Sequence, residues 1–291
     1  TEMQNWVILP GNNSIRIVNV EKNESYVLIK EGFDSSFMYN DIRIRMLYKC
    51  IITPSLKKHS PDYSWYVESR ICGLALNRIS CERQRKISFL SACENLIKLK
   101  EKSKSTVSAF LYLDQLIAKL DKLIDGLPRS FQGLDYLDRN FKKSIIQLSK
   151  KSTDTSLELC ETHGDFQDAN ILFDGKNTWI IDWEYSRRRS TFYDYITYSC
   201  ATRGGGELYV RLYKKLKTCV KDGGLKFWGT LQKGDASLLF SIFIVEDLIS
   251  RIQETLSGFN HKKDKNFSVY IVEIQKFLES ISLDDVRHVQ N

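Results

Sequence analysis

HGDFQDANIL, at residues 163–172, and WIIDWE, at residues 179–184, are the two stretches of sequence that decide the fold. The first places an acid, Asp165, five residues before an amide, Asn170, and then continues into apolar residues typical of a short buried strand. A turn sequence at residues 174–177 predicts a reversal of the chain, and a second apolar run leads to Asp182. Two strands joined by this turn would bring two carboxylates and one amide to a single point.

Such a group of side chains suits phosphoryl transfer from a nucleotide, which requires a positioned hydroxyl and magnesium ions held against the phosphates. We expect Asp165 to accept or orient the proton of the attacking hydroxyl. Asn170 and Asp182 offer the hard oxygen ligands that Mg²⁺ prefers. The other interpretation is a buried polar hairpin, but that would bring two acids and an amide together without stated partners.

The order of these residues matches a known pattern. A His, an Asp, four residues, an Asn and a later metal-binding Asp form the protein-kinase catalytic loop and metal site. Here the corresponding residues are His163, Asp165, Asn170 and Asp182. With glycine after the His and DWEYS at residues 182–186, the motifs resemble those of the aminoglycoside phosphotransferase and choline kinase superfamily, especially its choline and ethanolamine kinase branch.

The resemblance covers most of the chain and is strong over residues 163–198. It implies an α+β, bilobal fold of the protein-kinase type. We expect a small antiparallel-sheet N-lobe at residues 1–72, which binds the nucleotide, and a larger, mainly helical C-lobe at residues 73–291, which carries the catalytic and metal motifs and the acceptor site.

The N-terminal region fits the expected nucleotide lobe. Two predicted strands, at residues 6–9 and 15–20, flank a turn whose backbone N–H groups would cover the phosphates. Gly11 permits the close approach, and Asn12 and Asn13 complete the turn. Lys30, at the end of the next predicted strand, would contact the phosphates as a point charge, and the alternative is an exposed strand end.

In the kinase arrangement a carboxylate on the next helix holds that lysine. This helix is predicted at residues 37–49, where Asp41 is the only acid, and Asp34 is the alternative partner. A later strand, at residues 65–71, resembles the family's edge strand and hinge, whose backbone would read the adenine edge. The nucleotide contacts that the resemblance implies there are Glu68, Ser69 and Ile71.

Other residues are expected to support the site. His163, Glu184 and Asp194 would hold the reactive groups, Asp194 by hydrogen bonding to the catalytic loop. Glu184 is also a candidate outer partner of magnesium. Asp168, inside the catalytic loop, is expected to form a turn.

Apolar periodicity predicts a helical remainder, with helices at about residues 87–97, 107–124, 134–148, 207–220, 236–256 and 268–281. In the fifth of these, Asp247 lies one turn before Arg251, which favours a structural ion pair. A role in the substrate pocket for Glu246 or Asp247 is the alternative.

Composition agrees with an intracellular enzyme. The net charge of +7 is compatible with nucleotides, acidic substrates or membrane headgroups, and seven cysteines without a Cys-x-x-Cys pair favour reduced thiols. No apolar run is long enough to cross a bilayer, and the N-terminus lacks a secretory pattern. We expect a cytoplasmic enzyme that uses ATP and Mg²⁺ on a small-molecule hydroxyl acceptor, with no nucleic-acid partner.

Two features of one segment compete over the acceptor. A dense group of aromatic residues would suit a cage for a quaternary ammonium such as choline. Its members are Trp183, Tyr185, Phe192, Tyr193, Tyr195 and Tyr198. Arg187, Arg188 and Arg189 would instead repel a cation and attract a phosphate or carboxylate.

Weighing charge above aromatic content predicts a neutral or acidic sugar, or a sugar-containing envelope precursor, contacted by these arginines, Tyr185 and Glu246. Choline, ethanolamine or an aminoglycoside is the alternative acceptor. A pseudokinase that only binds nucleotide is a second alternative, although Lys30, Asp165, Asn170 and Asp182 are all present. A protein acceptor is a weaker third hypothesis.

Overall fold

The computed structural model describes residues 5–11, 13–127, 137, 141–150, 155–204, 206–222, 236–257 and 261–288. Its contacts divide the chain into two compact units. The first combines Thr1–Ser103 with Cys160–Arg188, and the second combines Lys104–Leu159 with Arg189–Asn291. The segment with the catalytic motifs therefore belongs to the same unit as the N-terminal strands.

The first unit begins with a five-stranded antiparallel sheet in the order β1-β2-β3-β5-β4. Its strands are β1 (Trp6–Pro10), β2 (Ser14–Asn19), β3 (Glu24–Ile29), β4 (Leu56–His59) and β5 (Trp65–Ser69). Alternating apolar residues favour these strands, and residues paired across an antiparallel ladder share one face. Arg16 pairs with Val27, and Val27 with Tyr66, so these three lie on one face.

Helix α1 (Ser36–Leu47) covers part of that face. Met38 and Ile42 of the helix form a buried cluster with Val27 and Tyr66 of the sheet. The helix begins near its predicted position. Its first residue is held by Asp34, because the backbone N–H of Ser36 donates to Asp34 Oδ1 at 2.8 Å.

The hairpin predicted around the catalytic motifs is confirmed. Strand β9 (Ile171–Phe173) pairs antiparallel with β10 (Thr178–Ile180), and β6 (Leu74–Ala75) pairs with the other edge of β9. The turn is formed by Asp174, whose Oδ1 accepts from the backbone N–H groups of Lys176 and Asn177 at 2.8 and 2.7 Å.

The helices complete the chain. They are α2 (Glu82–Ser103), α3 (Ala109–Asp125), α4 (Lys142–Lys150), α5 (Tyr193–Ser199), α6 (Leu208–Asp222), α7 (Ala236–Ser257) and α8 (His261–His288). In the second unit α3 and α8 both pack against α7. Within the described part of the chain, no helix has the length and apolarity needed to span a membrane.

Some element boundaries differ from the sequence prediction. Residues 107 and 108, predicted as the start of a helix, lie with residues 105 and 106 in strand β7 (Ser105–Ser108), which pairs with β8 (Ser156–Thr162). Thr106 and Val107 are β-branched, and a strand partner outweighs the helical periodicity there. Helix α8 begins seven residues before its predicted start, in a polar stretch without apolar periodicity. The last strand, β11 (Arg187–Ser190), pairs with β8.

Candidate active site

The catalytic loop starts where β8 ends. Gly164 has a φ of +88°, which glycine adopts without strain, and turns the chain between His163 and Asp165. The His163 Nδ1 accepts from the backbone N–H of Asp165 at 3.2 Å, so the ring carries its proton on Nε2 and donates it to Ile181 O at 2.8 Å. The buried imidazole therefore joins the loop after β8 to the segment before Asp182, and its support of reactive groups stays a prediction.

Asp165 and Asn170 are in direct contact. The Asn170 Nδ2 donates to the backbone oxygen of Asp165 at 2.9 Å and to its Oδ2 at 3.0 Å. Gln167 Nε2 donates to the same Oδ2 at 2.8 Å. Because both amide hydrogens of Asn170 are committed to Asp165, its Oδ1 is the atom left for a cation.

Asp182 follows β10 with a φ of +67°, a left-handed conformation. Its position is fixed on both sides, because Ile181 N–H donates to Asn170 O at 3.0 Å and Trp183 Nε1 donates to Ile180 O at 3.1 Å. The carboxylate retains contact with solvent, yet the protein packed around it disfavours its charge. This burial, with repulsion from Asp41 and Asp165, raises the pKa of Asp182 to about 6.

These side chains suit magnesium. Within the described residues no hydrogen bond or ion pair reaches the Asp182 carboxylate, and the more distant charges of His163 and Arg16 offset only part of the opposition to its negative charge. Within those same ranges no group of three His, Cys, Asp or Glu side chains has metal-binding geometry. Asn170 Oδ1 and the Asp182 carboxylate are hard oxygen donors, which fit a cation that completes its shell with phosphate oxygens and water, as Mg²⁺ does.

Asp41, the expected partner of Lys30, is paired with other residues. Asp41 is ion-paired with Arg45, one turn further along α1, and accepts a hydrogen bond from Tyr66 Oη at 3.1 Å. Lys30 Nζ donates instead to the backbone oxygen of Gly11 at 2.6 Å. The hydrogen bonds and ion pairs of Asp41 thus do not include Lys30, and Asp34, the alternative partner, accepts hydrogen bonds from the backbone and hydroxyl of Ser36.

The Lys30 side chain also lies on the other face of the sheet from α1. The residue continues β3 by one position, since its backbone N–H donates to Asn13 O at 3.0 Å. Side chains alternate between faces along a strand, so Lys30 shares the face of Leu28, opposite Val27. The resemblance placed a lysine at the strand end, but the sequence alone did not fix which face it would occupy.

A buried ion network occupies the face that Lys30 was expected to reach. Arg45 Nη1 pairs with Glu68 Oε2 at 2.6 Å, and Arg16 of β2 is ion-paired with the other carboxylate oxygen. Burial opposes the charge of Glu68, but the two arginines lower its pKa. Neither arginine was predicted as a site residue. The signal was the alternation of β2, which places Arg16 on the face of Val18.

Next to this network is a cavity of about 270 Å³. Three predicted nucleotide-binding residues line it, namely Glu68, Ser69 and Ile71. Arg16 lies in its wall, as do Leu172 and Ile181 from the catalytic hairpin. Apolar side chains of β1, of β2 and of the residue after β2 form another part of the wall: Val7, Leu9, Val18 and Val20. The cavity is mainly apolar with a few polar groups, as expected for a nucleotide-base site.

The predicted phosphate turn is described in part, since Asn12 lies outside the described residues. Gly11 cannot be replaced easily, because an added Cβ would come within 3.0 Å of the backbone oxygen of Ser14. Asn13 is buried, and neither of its amide atoms has a hydrogen-bond partner in the described chain. A buried amide in that state is destabilising unless a ligand satisfies it.

Helix α1 also contacts the segment after Asp182. Asn40 Nδ2 donates to the backbone oxygen of Glu184 at 3.2 Å, and Ser186 Oγ donates to Asn40 O at 3.2 Å. Tyr185 is buried against Phe37, with ring centroids 5.4 Å apart. Tyr185, expected to contact substrate, is thus placed as a core residue.

The three arginines do not form one patch. The Thr162 hydroxyl donates to the backbone oxygen of Arg187 at 2.9 Å, and Arg188 Nη1 donates to Ser103 O at 2.9 Å. Arg189, in the second unit, is buried and donates to Ser250 Oγ at 2.9 Å. Strand alternation along β11 separates neighbouring side chains.

Other predicted residues belong to the second unit. Asp194 is buried in α5, and its support of the catalytic loop stays a prediction. Glu246 accepts hydrogen bonds from Tyr112 Oη at 2.6 Å and Ser190 Oγ at 2.7 Å. Asp247 pairs with Arg251 at 2.8 Å, as the i to i+4 spacing predicted. These contacts favour the structural interpretation of both acids.

No family model and no curated protein matches the sequence. Solved structures do match. Choline kinase LicA from Streptococcus pneumoniae is 13% identical over 96% of this chain and 95% of its own, with a TM-score of 0.61. A choline/ethanolamine kinase family protein from Mesorhizobium loti is 15% identical over 96% and 92%, with a TM-score of 0.52.

A thermostable mutant of aminoglycoside phosphotransferase APH(4)-Ia, in ternary complex with AMP-PNP and hygromycin B, is 11% identical over 95% of this chain and 94% of its own, with a TM-score of 0.57. At these identities the similarity concerns the fold. The kinase-like α+β fold predicted from the motifs, shared with choline kinases and aminoglycoside phosphotransferases, is therefore confirmed.

Proposed function

We propose that this protein is a small-molecule kinase that transfers the γ-phosphate of ATP to a hydroxyl group in the presence of Mg²⁺. The observation that carries the proposal is the convergence of Asp165, Asn170 and Asp182 beside a largely apolar cavity in one compact unit. Phosphoryl transfer needs an oriented proton acceptor and a metal ligand, and two observations support these roles: Asn170 contacts Asp165, and the Asp182 carboxylate has no hydrogen-bond or ion-pair partner among the described residues.

Each residue has a defined role in the proposed reaction. Asp165 Oδ2 is held by Asn170 and Gln167, so the carboxylate is oriented to accept the proton of the acceptor hydroxyl. Asn170 Oδ1 and Asp182 would hold magnesium, which when bound neutralises charge on the transferring phosphate. His163 holds the two segments in register, because its ring hydrogen-bonds both.

For the acceptor we propose a neutral or acidic sugar or sugar-containing envelope precursor. The aromatic residues that could form a cage for an ammonium group are largely core, since Trp183, Tyr185 and Tyr193 are buried. Arg188 keeps its side chain at the surface. Choline or ethanolamine is the second candidate acceptor, because solved choline kinases share this fold along nearly the whole chain.

The test is a panel assay with the full chain. ADP release from Mg-ATP would be measured with sugars, sugar phosphates, choline, ethanolamine and an aminoglycoside, with Asp165→Asn as the inactive control. We expect one acceptor class to stimulate ADP release in the wild type only. Nucleotide binding without turnover on any acceptor would favour the pseudokinase alternative, and absence of nucleotide binding would contradict the proposal altogether.

A further inference from the structure

The inference concerns the cation that binds the nucleotide phosphates, and it rests on the proposed function. In the kinase arrangement this cation is a lysine of the third strand. Here the only lysine near the end of β3 is Lys30, which lies on the face away from α1. Its Nζ is hydrogen-bonded to the turn between β1 and β2. The cavity face of β3 carries Ser25 and Val27 instead.

Arg16 supplies a positive charge on the cavity face. It lies on the neighbouring strand, directly opposite Val27, and lines the cavity. Its side chain keeps 31% of its surface accessible, whereas the Arg45 and Glu68 side chains keep 3% and 5%. Of the two network members that line the cavity, Arg16 is thus the more accessible to a ligand and Glu68 the more deeply buried.

The ion pair with Glu68 leaves most of the Arg16 guanidinium available. A guanidinium has five N–H donors, and in the described chain one Arg16 nitrogen, Nη1, is hydrogen-bonded, to Glu68. Glu68 has a second cation of its own, Arg45. The planar fork of an arginine also matches two phosphate oxygens at once.

Arg16 is also electrostatically coupled to the metal site. Burial opposes its charge, but Glu68, Tyr66 and Asp182 together raise the pKa of Arg16 above its usual value. Arg16 in turn offsets part of the repulsion that Asp182 experiences. A phosphate chain extending from the cavity towards a magnesium ion on Asp182 would therefore remain within the field of Arg16.

We propose that Arg16 of β2, and not Lys30 of β3, is the side chain that binds the α- and β-phosphates of the nucleotide. Glu68 and Arg45 position its guanidinium, as the carboxylate on the helix positions the lysine in the kinase arrangement. The alternative is that Arg16 serves only to neutralise Glu68.

Calorimetry of the full chain with adenosine, ADP and Mg-ATP separates these roles. Arg16→Gln should weaken the binding of ADP and Mg-ATP about tenfold or more, since charge-assisted hydrogen bonds to phosphate are lost, and change adenosine binding less than about twofold. Arg16→Lys should recover part of the loss. Lys30→Gln and the surface variant Lys58→Gln, which removes a charge from the same sheet, should bind all three ligands like the wild type.

A double variant distinguishes the loss of phosphate contacts from a folding defect. Arg16→Gln leaves Glu68 with one cation, whereas Arg16→Gln with Glu68→Gln removes both charges of the pair and should show the same phosphate-specific loss. Equal loss of adenosine and ADP binding in both variants would reduce Arg16 to a structural role. A phosphate-specific loss in Lys30→Gln alone would overturn the assignment while leaving the kinase proposal intact. Failure of the wild type to bind any nucleotide would overturn both.

Discussion

Two acids of this chain, Asp247 and Asp182, have opposite surroundings. Asp247 accepts hydrogen bonds from Tyr193 and Tyr270 at 2.8 and 2.6 Å and pairs with Arg251 at 2.8 Å. Burial opposes its charge, but Arg251 and Arg203 hold the pKa of Asp247 well below its usual range. Asp182 has no such partner in the described chain, and its pKa is raised to about 6.

This difference in surroundings distinguishes an acid with a structural role from an acid that is available to a ligand. A buried acid that the chain neutralises completely is costly to remove from its partners and has nothing left to offer a ligand. An acid whose charge is opposed by its surroundings requires a cation from outside, and such perturbed groups concentrate at functional sites.

The largest effect is expected at the reacting atoms. Asp165→Asn should lower turnover about 10²- to 10⁴-fold, because a positioned proton acceptor is lost, and leave the Kd for Mg-ATP within about twofold. Steady-state kinetics and calorimetry measure the two quantities. Asp168→Asn in the same loop is the control, and we expect it to change turnover little. An Asp165→Asn enzyme with most of its activity would disprove the assigned role.

Asp247→Ala should act on stability instead. It leaves Arg251 and two tyrosine hydroxyls without their buried partner, so the free energy of unfolding should fall by about 3 to 5 kcal/mol. Denaturant titration measures this change. Protein that remains folded should bind Mg-ATP with the wild-type Kd. A variant of wild-type stability that has lost turnover would instead place Asp247 in the substrate site.

The sequence predicted the catalytic hairpin better than the residue that binds the nucleotide phosphates, for a physical reason. Asp165, Asn170 and Asp182 are tied to one tight hairpin, so their spacing along the chain nearly fixes their spacing in the fold. The position of the positively charged side chain that contacts the phosphates is not fixed by local spacing in this way. A strand residue and its neighbour point to opposite faces, and a shift of one position sends Lys30 away from the cavity.

Contacts between residues far apart in the sequence could also not be predicted. Glu68 was predicted near the nucleotide through its strand, but its ion pairs with Arg16 and Arg45 join residues 52 and 23 positions apart. Asp247 and Arg251 lie one helical turn apart and were predicted from spacing alone, whereas the contact of Tyr270 with the same carboxylate was not. Local periodicity fixes local pairs, and packing decides the others.

A smaller effect is expected for the metal ligand. Asp182→Ala should weaken Mg-dependent ATP binding about tenfold or more, since a charged ligand is removed, and should weaken it more than Asp165→Asn does. Calorimetry with and without magnesium gives the comparison. Without magnesium the two variants should differ little. Equal losses in the presence of magnesium would mean that the roles of the two acids are interchanged.

The smallest effect is a change in stability at Asp182. It tests the comparison with Asp247 most directly, because the Asp182 carboxylate is expected to lower stability and not to raise it. The folded protein holds the Asp182 proton up to a pKa of about 6, whereas the unfolded chain releases it near the ordinary value of 3.8. Between these two values the folded state binds more protons, so rising pH lowers the stability of the wild type, and above pH 6 the penalty is constant.

Asp182→Asn removes this penalty, and asparagine tolerates the left-handed backbone at this position. We expect the variant to be more stable than the wild type at pH 7 and equal to it at pH 4. Since solvent screens the exposed carboxylate, the gain at pH 7 should be about 1 kcal/mol at most. Thermal unfolding at both pH values measures the gain. Mg-ATP should reverse the order at pH 7, because only the wild type offers the cation a carboxylate. A variant less stable than the wild type at pH 7 without ligand would show that Asp182 has a partner within the protein, and would remove the contrast with Asp247.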